Sequence, residues 1–209
     1  MNTTTTSSLT DLLETRRTVG RFIPDRPLPE GVVEKLIHLA TRAPTAFNLQ
    51  NWRFIAVESD AAKERLQAVA YGQPQVRDAS VTFIVCGQTE AYRHLFARLQ
   101  PAVDAGMIPS AVQQGWSDMA TASHENNPQL QRDEAFRSAS LAAMTLMLAA
   151  NELGYASGAL SGFDPAALAE AFELPAHNIP VMLVTVGHAA ERNWQQKPRR
   201  PLSEVLERV

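Results

Sequence analysis

Cysteine is almost absent from this 209-residue chain: Cys86 is its only one, so no intrachain disulfide can form and nothing points to an oxidising compartment. The five histidines are scattered, with no His-x-x-x-His pair and no cysteine cluster, which argues against a zinc site. There is no G-x-S-x-G nucleophile elbow and no phosphate loop ending in Lys-Ser/Thr. Excess positive charge is also missing. The formal net charge is −3, unlike the strongly basic balance of a nucleic-acid binder. The longest apolar stretch, Leu141 to Ala150, is about half of the roughly 20 residues that cross a bilayer. The N-terminus has neither a basic region nor an apolar one and does not read as a secretory signal. The expectation is a cytoplasmic protein with no membrane and no nucleic-acid partner. Its own side chains offer no evident reactive group, which suits an enzyme whose cofactor carries the chemistry.

What is present is an ordinary globular composition, 45% hydrophobic and 20% charged, long enough for a sizeable core. Residues 1–8 are polar and read as a disordered tail, followed by one domain over residues 9–209. Apolar spacing predicts a short helix from Leu9 to Arg16 and an amphipathic one over residues 30–43, with Pro29 in its first turn. Strands are expected at 53–58, 81–87 and 181–187, and the second is apolar enough to be covered on both faces. Helices are expected at 61–70, 90–104, 110–123, 132–153 and from Asp164 to Phe172, with Gly72 to Gln75 as a turn. Gly154 stands where a left-handed cap belongs. Few, widely spaced strands among helices imply mixed α/β layers rather than a doubly wound sheet.

Two basic clusters stand out. Arg16, Arg17 and Thr18 put two guanidinium forks and a hydroxyl side by side, which suits a phosphate. Lys197, Arg199 and Arg200 form the second, near the other end of the chain. Each could equally be a solvated surface patch. A third element, Pro44 to Gln50, is rich in side-chain amides that could bond a ring edge of donors and acceptors, or could serve only as a helix-to-strand turn. The helix from Arg132 is apolar nearly all round past Ser140. Its small residues and methionines suit close contact with another large surface, or simply a core.

The sequence around Arg16, Arg17 and Thr18, followed by Ala43, Pro44, Thr45, Asn48 and Gln50, resembles the FMN-dependent nitroreductase family, in the branch of NAD(P)H nitroreductases and quinone reductases. The resemblance covers nearly the whole chain. It implies an α+β fold, a mostly antiparallel central sheet flanked by helices, and an intertwined homodimer with FMN at the subunit interface. By the same resemblance, Arg16, Arg17, Thr18, Lys197 and Arg199 meet the flavin phosphate, and Pro44, Thr45 and Asn48 contact the partner's flavin. Leu160, Ser161 and Gly162 lie beside the ring as backbone contacts, Gln73 near the ribityl chain or ring, and Phe47 in the wall of the substrate pocket. No metal is implied. The activity implied is NAD(P)H-driven reduction of a small aromatic acceptor, a nitroaromatic or a quinone, by ping-pong hydride transfer through flavin N5. Two departures bear on this: Gly20 and then Arg21 stand where the family often has a cation two residues after the hydroxyl, and Ser161 where several members have Glu. Those departures leave open other flavin chemistry on the same fold, namely dehydrogenation, dehalogenation or flavin breakdown. A non-catalytic FMN sensor or store, and a flavin-free interaction protein, are the remaining alternatives.

Overall fold

A computed structural model describes residues 8–209. The expected disordered tail lies outside the described residues except for Ser8, which belongs to the fold. Its hydroxyl accepts from Asp11 N and its own N–H donates to the Asp11 carboxylate, a reciprocal capping box that starts α1 (Leu9–Thr15).

The chain then runs through α2 (Val32–Ala40), β1 (Trp52–Val57), α3 (Asp60–Val69), α4 (Pro74–Asp78), β2 (Val81–Gln88), α5 (Leu95–Asp104), α6 (Ser110–His124), α7 (Pro128–Glu152), β3 (Ala156–Leu160), α8 (Pro165–Ala171) and β4 (Asn178–Gly187). The four strands form one fully antiparallel sheet in the order β1-β2-β4-β3. The expected mixed architecture of a sheet flanked by helices is therefore the one observed.

Alternation along β2 sorts the core into two layers. Val81, Phe83 and Val85 pack with Leu36 of α2 and Ala139, Ala143 and Leu146 of α7. Ile84 and Cys86 face the other way, onto Leu66 of α3 and Leu168 of α8. Each fully buried leucine in these layers contributes roughly 1.5–3 kcal/mol. On the α7 side the approach is close enough to need a glycine: a Cβ on Gly87 would stand 2.7 Å from the Ala135 Cβ. A third cluster joins Leu49 to Tyr92, Leu95, Leu99 and Ala120, so α5 and α6 hold the end of the 44–50 loop.

Several boundaries differ from expectation for identifiable reasons. Gly31, at φ 79°, is the N-cap of α2, so Pro29 lies before the helix and not in its first turn. The turn expected at Gly72 to Gln75 continues into α4, with Pro74 at its first position. The helix expected from Arg132 begins at Pro128, because the Asn127 side chain caps it by accepting from Leu130 N. The helix expected over 90–104 is a 3₁₀ turn at Ala91–His94 followed by α5. β4 begins at Asn178, ahead of the expected Val181. A register shift in its pairing with β2 lies beside Pro180, where the missing N–H of proline would interrupt a regular ladder. β3 was not expected at all: Ala, Ser and Gly are weak strand formers, and pairing with β4 overrides them. Gly154, at φ 83°, and the Asp164 cap occur as expected.

Cys86 is fully buried, and desolvation pushes its thiol up to about 11 against a slight pull from Arg53. The folded state therefore disfavours the thiolate. The stability associated with the neutral thiol is complete below pH 9 and declines as pH rises from 9 towards 11. Cys86 should stay unreactive to a disulfide reagent at pH 8 until denaturant unfolds the chain; stoichiometric labelling of the native protein would contradict this. Gly87→Ala should lower the urea midpoint, costing on the order of 1–3 kcal/mol through overpacking against α7.

Candidate functional site

The segment after α1 is extended and lies along the outer edge of β3. Thr18 forms a parallel bridge with Ser157, and Val19 N donates to Ser157 O at 2.9 Å. Further on, Phe22 bridges Ala189 and Ile23 N donates to His188 O. These contacts carry the N-terminal segment to the chain beyond β4. Asn193 completes the junction: its Oδ1 accepts from the N–H groups of Gly20 and Arg21, both at 3.0 Å, and its Nδ2 donates to Arg21 O and Ala190 O. Arg17 Nη1 donates to Gln195 Oε1 at 2.9 Å.

The result is one cavity of about 190 Å³ walled by both basic clusters. Arg17, Thr18 and Gly20 line it from the N-terminal side, and Trp194, Lys197 and Arg199 from the C-terminal side. Three cations and a hydroxyl face a space with no carboxylate in its wall, the donor set that a phosphate monoester needs. Arg16 does not line it; half-buried, it caps α1 by donating its N–H to Leu12 O. Beside the cradle, the Ser157 hydroxyl is buried and has no partner among the described residues.

Leu160, Ser161 and Gly162 lie at the far end of β3, roughly 13 Å along the strand from Ser157 at about 3.3 Å per residue. β3 is the last strand of the sheet, and the N–H groups of Ser161 and Gly162 make no backbone hydrogen bond among the described residues. Gln73 reaches this point from the start of α4. Its Nε2 donates to Gly162 O at 2.6 Å and to Ala70 O at 3.1 Å, while its Oε1 accepts from Gln75 Nε2. The Gln73 amide thus holds the Gly162 carbonyl through Nε2, while its Oε1 is engaged by Gln75.

Pro44, Thr45, Phe47 and Asn48 come together on one loop, but they do not line the basic cavity. This loop is strained. Phe47, Asn48 and Gln50 have φ of 52°, 59° and 46°, a conformation that costs about 1–2 kcal/mol for a residue with a side chain. Thr45 Oγ1 accepts from Gln50 N, Arg98 Nη1 donates to Leu49 O, and the buried Leu49 side chain anchors the turn.

Asn193, Trp194 and Gln195 were missed in the sequence, although two amides directly before the Lys197 cluster were a signal of a polar junction. Among the described residues, no group of three or more His, Cys, Asp or Glu side chains could hold a metal, and no helix is long and apolar enough to cross a membrane.

A cavity walled by two basic clusters beside an open strand edge, in an α+β fold with helices on both faces of one sheet, has the donors that a phosphate-bearing cofactor needs. Comparison makes this specific. A model of the nitroreductase family matches residues 13–188. YodC of Bacillus subtilis (strain 168) is 33% identical over 195 residues, covering 93% of this chain and 96% of that protein. A protein named NADH dehydrogenase from Thermus thermophilus is 31% identical over 192 residues, 91% of each chain. The crystal structure of an FMN complex from Exiguobacterium sibiricum superposes with a TM-score of 0.90 at 25% identity, covering 97% of this chain and 98% of that one. The chain belongs to the nitroreductase family, whose members are FMN-dependent oxidoreductases that draw on NAD(P)H.

Gln50 is exposed, so its backbone strain can be tested alone. Gln50→Gly should leave stability equal or raise it by up to about 1 kcal/mol, whereas Gln50→Val should lower it by roughly 1–2 kcal/mol. Urea unfolding would check this; equal losses from both variants would contradict a strained loop.

Proposed function

We propose that this chain is an FMN-dependent NAD(P)H oxidoreductase that reduces nitroaromatics or quinones. The observation that carries the reading is the meeting of Arg17 and Thr18 with Lys197 and Arg199 around one cavity, beside a strand followed by N–H groups that make no backbone hydrogen bond among the described residues. When bound, FMN supplies two-electron hydride chemistry at N5, in a ping-pong order in which NAD(P)H gives hydride and leaves before the acceptor enters. Arg17, Lys197 and Arg199 hold the cofactor phosphate as cations, and Thr18 adds a hydroxyl donor. Arg16, outside the cavity wall, contributes charge to the same region. The N–H groups of Ser161 and Gly162 donate to the ring, and Gln73 fixes the orientation of the following peptide through the Gly162 carbonyl. No side chain is assigned as a general acid.

The working unit is a homodimer. Pro44, Thr45, Phe47 and Asn48 lie apart from the cradle of their own chain, which supports their use on a second copy, with Phe47 as a wall of the acceptor pocket. Large apolar side chains are exposed where a partner would cover them: Trp194 is 80% exposed, Leu202 74%, Leu9 63% and, midway along α7, Leu141 47%.

The purified protein should be yellow, bleach anaerobically with NADH or NADPH, and recover its colour with a quinone. Bound flavin without NAD(P)H turnover would point to a sensor or store. Lys197→Ala and Arg199→Ala should each weaken FMN binding by about tenfold or more, the effect of losing one charge-assisted contact. Unchanged affinity in both, by fluorescence titration of FMN, would reject the cradle.

A further inference from the structure

A second polar cavity, of about 240 Å³, lies at the opposite end of β2 and is walled by Gln88, Glu90, Ala91, His94, Arg98 and His177. None of these residues lines the basic cradle, and nothing assigned above uses the space.

Arg98 is its distinctive feature. The side chain is half-buried, and desolvation lowers its pKa. Charges taken fully out of water are almost always paired, and Arg98 is part of the way there. Among the described residues no carboxylate lies within ion-pairing distance of it. It makes a single hydrogen bond among the described residues, from Nη1 to the Leu49 carbonyl, so most of its donors are uncommitted. The one carboxylate in the wall, Glu90, pairs with Arg93 at 3.9 Å. His94 and His177 add two imidazoles that can donate. Behind the wall, Gln88 Nε2 donates to Asn178 Oδ1 at 3.2 Å. Asn178 is only 4% exposed, and its Nδ2 donor has no partner among the described residues. A partly desolvated cation with no ion pair among the described residues and two ring donors in the same wall favour the same kind of guest.

We propose that this cavity binds a compact oxyanion, a carboxylate or phosphate, on the Arg98 guanidinium with His94 and His177 as flanking donors. At about 30 Å³ per water the space has room for about eight waters, which suits a small acid or inorganic phosphate. Arg98 also holds the Leu49 carbonyl, at the end of the loop strained at Phe47, Asn48 and Gln50, so occupancy reaches that loop through one hydrogen bond. The proposal does not depend on the flavin reading.

The test is titration of the full-length protein, saturated with FMN, with inorganic phosphate and separately with acetate, followed by backbone amide resonances. Saturable shifts at Ala91, His94 and Arg98, spreading to Leu49 and Gln50, are expected with at least one probe, and the tighter probe identifies the class of anion. Arg98→Lys, which keeps charge but loses the fork, should weaken the binding about tenfold. His177→Gln should weaken it as well, and carries the test if the Arg98 variant fails to fold. Absence of saturation at these amides with both probes, or affinities unchanged in the variants, would overturn the site. Shifts confined to the neighbourhood of Lys197 would mean binding at the cradle only, and would overturn it equally.

Discussion

The attachment of the Thr18–Val19 segment to the open edge of β3 is the constraint on which the site depends. Val19 N donates to Ser157 O, and the contact is so close that a Cβ on Gly158 would collide with the Val19 carbonyl and stand 2.9 Å from Thr185 Oγ1. Only glycine lets an extended segment lie that near the strand. Once it lies there, Arg17 and Thr18 are fixed relative to β3, and Asn193 can clasp Gly20 and Arg21 from the far end of the chain. Without this attachment the two basic clusters, about 180 residues apart in sequence, would have no reason to share a cavity.

The same edge position exposes the N–H groups of Ser161 and Gly162. Both residues lie past Leu160, where pairing with β4 ends, and β3 is the edge strand of the sheet, so neither N–H makes a backbone hydrogen bond among the described residues. Gln73 Nε2 then holds the Gly162 carbonyl, which fixes the peptide that follows these two N–H groups. Gly20, by contrast, brings no side chain to the cradle; Asn193 uses its N–H as part of the clasp, so the missing side chain leaves a backbone role intact.

The central packing is two-sided but incomplete. α7 covers one face of the sheet through Ala139, Ala143 and Leu146, which accounts for its small residues. Its opposite side still shows Leu141 to solvent, as α1 does Leu9 and Leu13. The all-round apolar character read in this helix thus has one half explained by the chain's own core, while the other half keeps Leu141 exposed.

Much of this was legible in the chain. β2 is a continuous apolar run, and α2 and α8 carry their spacing or caps openly. Arg17, Thr18, Lys197 and Arg199 stand out as chemistry for a phosphate. β3 was not legible, because Ala156, Ser157 and Gly158 become a strand only through pairing with β4. Nor could spacing tell that Arg17 enters the cradle wall while Arg16 caps a helix. That choice is set by where α1 ends and the extended segment begins. The positive φ of Phe47 and the lack of an ion pair at Arg98 among the described residues were hidden too, because residue spacing reports neither backbone conformation nor which charges meet. Residue types and local periodicity by themselves determined which groups could bind a phosphate and where most elements lie. The tertiary structure alone decided which of those groups meet, because close approach at Gly158 and hydrogen bonds across the sheet edge are properties of pairs remote in sequence.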